Sequence, residues 1–461
     1  MNRDVKIIST NPGRNYEIVG EVEITTNSVI RKKVQDANDA KEDWRRLGVV
    51  KRAAILRKAY QAFKQRAEDI AEIITKEIGA PITECREEVA WDWGYFEWFL
   101  DHAQQYLAPE IIHEDKNEIF RQIYEPLGTA VAITPWNLPF DLFLWGVIPN
   151  LLVGNTVIYK ASSQCALSGK LFEEIMDSIG LPKGVFSAIH GTSIQGEYLA
   201  HQAVDLIWFT GSSEVGKLLY ELAGRKFIKA VMEMGGSNPA IVFADADLDL
   251  VTEKIMFKRY AYNGQTCDAV KRLIVHKEVF TQVVDRLKAR VAKIVIGDPQ
   301  DPKTQMGPLT SKKQLEKLIK QVNTSVKMGT KVIIGVRQPE YLKGAYYLPT
   351  ILTGITGKMP VWKEEVFGPV LPIVQFESEE EAVRLANDTP YGLSAQVYTK
   401  DMKLAQKMAS ELKAGSVDIN GINHFRPFVP FGGFKESGMG KEHGKLGFHD
   451  LCRIKVISQT R

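Results

Sequence analysis

Of the four cysteines, Cys85, Cys165, Cys267 and Cys452, only Cys267 stands in a loop signature, Asn263-Gly264-Gln265-Thr266-Cys267, ahead of the strand-like Arg272–Val275. A turn at that point exposes a side chain, which a thiolate nucleophile needs. The competing reading is a small core residue, the usual lot of a free cysteine. The carboxylate candidate is Glu233, which closes the strand-like Ile228–Met232 and precedes Met234-Gly235-Gly236-Ser237-Asn238-Pro239. At a strand end it is otherwise an ordinary solvated charge. Asn137, within Thr134-Pro135-Trp136-Asn137-Leu138-Pro139-Phe140, also follows an expected strand. Its amide can donate to an oxyanion, or the residue simply forms a turn between prolines. Gly211 and Ser212, in Phe209-Thr210-Gly211-Ser212-Ser213-Glu214-Val215-Gly216, pass from strand to helix, where free backbone N–H groups can meet a phosphate. Lys160 follows Thr156–Tyr159 and projects beyond a strand's carboxyl end, where open α/β sheets bind ligands, or is a surface lysine.

These residues need a scaffold of strand ends. After Gly128, short apolar runs at 129–134, 156–159, 185–189 and 205–209 alternate with helical segments near 166–179 and 193–202. That alternation predicts a doubly wound parallel sheet. It resumes at 240–243, with a helix at 248–262, a strand at 272–275, a helix at 278–292 and strands near 331–334, 370–376 and 416–420. Before it, Leu56, Tyr60, Phe63, Ala67, Ile70 and Ile74 trace one apolar face, so 35–78 is expected to be amphipathic helix ended by Gly79 and Pro81. An unusually aromatic helix is expected over 82–106. Ile111–Tyr124 and Ile454–Ser458 read as strands outside both α/β units and are candidates for an oligomer-forming appendage.

Composition narrows the class. A chain of 461 residues with 44% hydrophobic and 25% charged residues is an ordinary globular protein, large enough for two α/β domains and an appendage. Fifty-nine basic against 56 acidic residues leave +3, too balanced for a phosphate-tracking surface, so no nucleic-acid partner is expected. The cysteines have no CxxC spacing, which argues against a metal site and against a disulfide framework. The most apolar stretch, Leu142–Val153, is broken by Pro149 and is too short for a membrane span. The start of the chain has no apolar signal region, so the expected location is cytoplasmic and the expected partner a small molecule.

Taken together, Pro135-Trp136-Asn137, Phe209-Thr210-Gly211-Ser212, Glu233-Met234-Gly235-Gly236, Gly264-Gln265-Thr266-Cys267, Glu364-Glu365-Val366-Phe367-Gly368-Pro369 and Pro430-Phe431-Gly432-Gly433-Phe434-Lys435-Glu436-Ser437-Gly438 make the chain resemble the aldehyde dehydrogenase superfamily over nearly its whole length. The separation of Glu233 from Cys267 also agrees with the family pattern. The resemblance implies an α/β fold with a Rossmann-like cofactor domain (1–107 and 127–232), an α/β catalytic domain (233–440) and a small β bridging element (108–126 and 441–461) that joins subunits into a homodimer or homotetramer. It implies Cys267 as nucleophile, Asn137 with the Cys267 N–H as oxyanion donors, and Glu233 as the base that activates water against a thioester. It places Gly211 and Ser212 at the cofactor pyrophosphate, Glu365 and Phe367 at the nicotinamide ribose and ring, and Trp136 and Lys160 along the cofactor cleft. NAD-specific relatives tend to carry Glu at the position of Ser163. A 2′-phosphate would repel that carboxylate but accept bonds from Ser163 and charge from Lys160, so NADP is expected to be preferred, with NAD possible.

The substrate is less legible. Succinate-semialdehyde enzymes resemble the chain in layout, but Trp145 stands where they often carry an Arg. Arg426, in Asn423-His424-Phe425-Arg426-Pro427, either replaces that carboxylate partner or pairs at the surface. Trp145 with Trp91 suggests an aromatic-walled tunnel, a feature that aminoaldehyde and betaine-aldehyde enzymes of the family share at the Trp145 position, against the alternative that the tryptophans are core; Phe425 and Phe431 are further candidates for substrate contact. Asp268 departs from the small or apolar residue usual after the cysteine. Pointing inward it would repel anions and raise the thiol pKa; pointing away it is a loop carboxylate. His424 either contacts substrate or is solvated. The competing functions are a succinate-semialdehyde-type enzyme using Arg426, a CoA-acylating enzyme, which Glu233 argues against, and a catalytically silent binding protein on the same fold.

Overall fold

The computed structural model describes residues 6–461. Its first sheet has the order Phe186–Ala188, Thr156–Lys160, Thr129–Ile133, Leu206–Thr210, Lys229–Glu233, all parallel, with Gly438–Met439 added antiparallel at the edge. The strands are apolar and buried on both faces, as helices packed on either side require. The order reverses at Thr129–Ile133: the chain builds outward on one side, then returns to lay Leu206–Thr210 on the other. That reversal opens a crevice beyond the carboxyl ends of these two strands, and the segments leaving them are Thr134–Asn137 and Gly211–Ser212.

The second sheet has the order Lys331–Ile334, Thr350–Thr353, Val370–Phe376, Val270–His276, Asn238–Val242, Ser394–Tyr398, Ser416–Ile419, parallel except for the first strand. Glu233 ends a strand of the first sheet and Asn238 begins one of the second, so the carboxyl edge of one sheet confronts the amino edge of the other. Cys267 lies just before Val270–His276 on that amino edge.

Helices Ile82–Tyr106 and Pro139–Val153 pack together against the first sheet. All of Pro139–Val153 is buried, which accounts for its apolar composition without a membrane. Its Gly146 is demanded by contact, since a Cβ there would lie 2.6 Å from the Trp208 ring. No helix among the described residues is long and apolar enough to cross a membrane.

Several expected elements differ. The helical stretch 35–78 is three helices, Asn27–Arg46, Val49–Gln65 and Ala67–Ile78. Gly48, at φ +80°, breaks the first from the second while Leu56, Tyr60, Phe63, Ile70 and Ile74 still share one core. Ile111–Tyr124 is two strands, Glu110–Glu114 and Glu118–Pro126, and with Cys452–Thr460 these form an antiparallel sheet. Residues 441–451, grouped in sequence with the bridging element, instead send Phe448 and Leu451 into the core of the first sheet. The helix expected to 262 ends at Tyr260 and gives way to a tight turn. Thr350–Thr353, Ser394–Tyr398 and the hairpin Lys6–Asn11/Glu17–Glu23 carry no clear apolar signal. In Ser394–Tyr398 the polar Ser394 and Gln396 are buried, and Gln396 accepts from Tyr398 Oη at 2.8 Å.

Candidate active site

The cysteine loop is held by its own motif. Tyr262 and Asn263 take left-handed conformations (φ 51° and 56°), and Gly264 follows at +71°. Asn263 Nδ2 donates to the carbonyls of Gly79 (3.1 Å) and Pro308 (2.6 Å), while its Oδ1 accepts the Gly307 N–H at 2.7 Å. Gln265 Oε1 accepts the Thr310 N–H at 3.1 Å. A Cβ on Gly264 would stand 2.6 Å from the Gly368 carbonyl. Buried Arg259 donates to the carbonyls of Gly264 (2.9 Å) and Val270 (3.2 Å), so one guanidinium ties both flanks of the loop together. Behind the cysteine, Asn238 and Lys271 donate to the Cys267 carbonyl at 2.8 and 3.1 Å. These bonds leave the Cys267 side chain part-exposed at the meeting of the two sheets.

There it lines a cavity of about 190 Å³ together with Asn137, Glu233, Trp136, Gly211, Ser212, Glu365, Phe367, Trp145, Phe425 and Phe431. A second cavity, of about 440 Å³, shares Leu138, Trp145 and Phe425 with the first and reaches Trp91, Asp268 and Arg426. Of the residues singled out in sequence, Lys160 and Ser163 stand outside both. Lys160 is buried at its strand end with Nζ donating to the Ala161 carbonyl at 2.9 Å, and Ser163 begins a short turn capped by Ser162. Trp145 is both core and wall: it is buried against Tyr95 and His443 yet faces both cavities, whereas Trp91 is 47% exposed at the outer end. His424 is not solvated. It is buried, 2.5 Å from an Asp418 oxygen, and lines neither cavity.

The electrostatics follow from burial. The Cys267 thiol is pushed up to about 12, first by desolvation and further by Glu365 and Glu233, while Lys271 and Lys258 pull it down. Asp268, buried and lining the outer cavity, is ion-paired with Lys258. Desolvation lowers Lys258 to about 8. Glu233 is held well above the ordinary carboxylate range by burial and by the like charge of Glu442, and Glu442 is raised to about 8 by its own burial. Neither carboxyl has a hydrogen-bond partner for its oxygens among the described residues. Backbone pairing with Phe431, 2.7 Å in each direction, brings Glu442 to the cavity wall. Nothing local in the sequence marks Glu442, Arg259 or Lys271 as members of the site.

The same cavity suits a dinucleotide end. Gly211 and Ser212 line the cavity, and Ser212 caps the helix Ser213–Lys226, so that helix begins at the cavity wall. Trp136 and Phe367 meet edge to face at 5.5 Å. Glu365 is anchored by Lys271 and by the Gly236 N–H at 3.1 Å. Thr210 Oγ1 is buried without a partner.

The aldehyde dehydrogenase family model matches residues 2–457. The chain belongs to the aldehyde dehydrogenase family. It is similar to a glutarate-semialdehyde dehydrogenase of Pseudomonas aeruginosa, 34% identical over 98% of this chain and 93% of that protein. It is 35% identical to a succinate-semialdehyde dehydrogenase [NADP(+)] of Deinococcus radiodurans over 92% of this chain and 89% of that one. A crystal structure of an E. coli NADP-dependent enzyme superposes with a TM-score of 0.95 at 32% identity, covering 99% of this chain and 95% of its own. The expected α/β fold is therefore the family's, and the reaction is oxidation of an aldehyde with NAD(P).

Proposed function

We propose that this aldehyde dehydrogenase, with NADP preferred over NAD, acts through Cys267 as nucleophile, Asn137 as oxyanion donor and Glu233 as the base for hydrolysis. The observation that carries this reading is their convergence, from three separate chain segments, on one cavity shared with Gly211, Ser212, Glu365 and Phe367. Cys267 Sγ adds to the aldehyde carbon as its proton leaves through the neighbouring carboxyls, and the Asn137 amide with the Cys267 N–H takes the oxygen's charge. The nicotinamide, when bound, supplies the hydride acceptor and a positive charge that favours the thiolate. The acyl group is then held on Cys267 as a thioester. Glu233, with Glu442 beside it, takes a proton from the water that attacks this thioester. The buried pair suits the task because burial, with like charge between the two, keeps at least one carboxyl protonated and ready to exchange a proton with its neighbour.

Ser163 beside Lys160, without a carboxylate at that place, supports NADP. Gly211 and Ser212 would meet its pyrophosphate, and Glu365 and Phe367 its nicotinamide end. The residues before Glu233 and those after it are read as cofactor and catalytic domains. The exposed edge sheet, with Ile111, Ile112, Ile454 and Val456 each more than half exposed, supports self-association as a dimer or tetramer. Four unpaired cysteines fit a reducing cytoplasm.

Arg426 as a holder of substrate carboxylate is not favoured. Its guanidinium lies over the Trp91 ring at 5.1 Å, in a cavity that Glu84, Glu87, Glu88 and Asp141 also line. A silent binding protein is not favoured either, since Cys267, Asn137 and Glu233 are all intact. The test is mass spectrometry of a Glu233→Gln variant turning over an aldehyde with NADP. An acyl adduct is expected on the Cys267 peptide, and a Cys267→Ala variant that keeps dehydrogenase activity overturns the assignment.

A further inference from the structure

Lys271 is the second residue of the strand Val270–His276, on the amino edge of the second sheet, and its side chain is wholly buried. A lysine is almost never sealed inside a fold unless its charge is matched. Here the match is made where the two halves of the site meet. Lys271 Nζ donates to the Cys267 carbonyl at 3.1 Å, is ion-paired with Glu365 Oε1 and lies 5.0 Å from the centroid of the Phe367 ring. One cation thus touches the backbone of the nucleophile together with the carboxylate and the ring assigned above to the nicotinamide end.

Packing of the loop does not by itself call for this charge. The Cys267 carbonyl already accepts from Asn238 Nδ2 at 2.8 Å, and the same amide reaches the Ala269 carbonyl at 2.9 Å. Arg259 ties the two flanks. Glu365 is less fully held. Its other donor is the Gly236 N–H at 3.1 Å, which goes to Oε1, the same oxygen that Lys271 takes. Oε2 is left for a partner in the cavity that Glu365 lines, and Gly235 makes room for it, because a Cβ there would run into that oxygen. Ribose hydroxyls are donors that suit a carboxylate oxygen kept ionised and aimed.

The charges around the thiol point the same way. Cys267 faces two cations, Lys271 and Lys258, against two carboxylates, Glu365 and Glu233. Lys258 is taken up by Asp268, and Lys271 weighs more on the thiol than Lys258 does. Lys271 itself faces Glu365, Arg259 and the thiol; burial lowers it, and the Glu365 carboxylate opposes that and favours the ammonium.

We propose that Lys271 is a positioning residue that couples cofactor to nucleophile: its ammonium aims Glu365 at the nicotinamide ribose and, from behind the loop, favours the Cys267 thiolate. This rests on Cys267 being the nucleophile and on Glu365 and Phe367 meeting the nicotinamide end.

The experiment compares the full-length enzyme with Lys271→Met and Lys271→Gln in two measurements that need no turnover. The first is calorimetric binding of NADP and of adenosine 2′,5′-bisphosphate, which carries the 2′-phosphate end without the nicotinamide ribose. Lys271→Met should weaken NADP about tenfold and leave the bisphosphate within about twofold of the parent, since only the nicotinamide end loses its anchored carboxylate. The second is the rate at which iodoacetamide alkylates Cys267 at pH 8 without cofactor, read on the Cys267 peptide by mass spectrometry. Below its midpoint a thiol loses thiolate about tenfold for each unit the midpoint rises, so Lys271→Met should be alkylated about 3- to 10-fold more slowly. Lys271→Gln keeps donors without the charge: alkylation should slow by a similar factor while NADP affinity stays nearer the parent. If Lys271→Met fails to fold, the alkylation of Lys271→Gln decides. A folded variant alkylated at the parent rate overturns the coupling. Equal weakening of NADP and the bisphosphate also overturns it, and makes Lys271 a part of general packing. A parent enzyme that binds no NADP, or in which Cys267 resists alkylation, strikes instead the assignments beneath.

Discussion

Replacing Gly432 with Ala sets a methyl group against the carboxylate that is proposed to activate water. A Cβ at this position would lie 2.6 Å from Glu233 Oε1 and 2.6 Å from the Gly440 carbonyl oxygen. Ordinary contact begins at 3.4 Å, so roughly 0.8 Å of movement must be found, and a misplacement of about 1 Å at a reacting group can cost on the order of 10²-fold in rate. The Gly440 carbonyl is backbone, adjoining the edge strand Gly438–Met439 that pairs with Met232 and Glu233, so it cannot yield without carrying that pairing with it. The side chain of Glu233 gives way first. Hydrolysis of the thioester should then slow by about 10- to 100-fold while its formation is much less affected, and overpacking should cost about 1–3 kcal/mol of stability. Stopped-flow recording of NADPH should show a burst of one equivalent per active site followed by a slow steady state. Gly224→Ala, on helix Ser213–Lys226 with no atom within 4 Å of the added methyl, is the control and should gain about 0.4–1 kcal/mol with unchanged kinetics. A Gly432→Ala enzyme with wild-type kcat, or one slowed without a burst, refutes the placement of Glu233 in the hydrolytic step.

Glu442→Gln removes the like charge that helps to hold Glu233 protonated, so the acid limb of the kcat–pH profile should move to lower pH; a limb that stays or moves upward contradicts the coupling. Glu84 and Glu442, both held at about 8, bind protons in the folded state that the unfolded chain has released above about 4.3. Their contribution should therefore weaken the fold as pH rises from about 4.3 to 8, and denaturant unfolding of Glu84→Gln should show a shallower decline than the parent. Ser163→Glu should turn the ratio of kcat/KM for NADP over NAD towards NAD; unchanged NADP use undercuts the argument from a repelled 2′-phosphate.

The strands that carry the site were legible because a strand buried on both faces must be apolar along its length, as Thr129–Ile133 and Leu206–Thr210 are. Ser394–Tyr398 was not, because it buries the polar side chains of Ser394 and Gln396, the latter accepting from Tyr398 Oη, and a pattern of hydropathy records neither. Asn263 and Gln265 stand in a visible motif, yet their task is to clamp the loop to Gly79, Gly307, Pro308 and Thr310, segments remote in the chain. The fate of Asp268 likewise depended on Lys258, whose partner becomes known only once the helix before the loop has been docked.

The order of motifs along the chain determined the family, the reaction and the candidates Cys267, Glu233 and Asn137, because each sits at the end of a locally encoded element. Tertiary structure alone decided that the carboxyl edge of one sheet meets the amino edge of the other, that Glu442 stands beside Glu233, and that Asp141 faces Glu88 and Asp92 across a helix pair. Local periodicity sets which face of an element is buried. Which charges then share that burial depends on contacts between elements far apart in the chain.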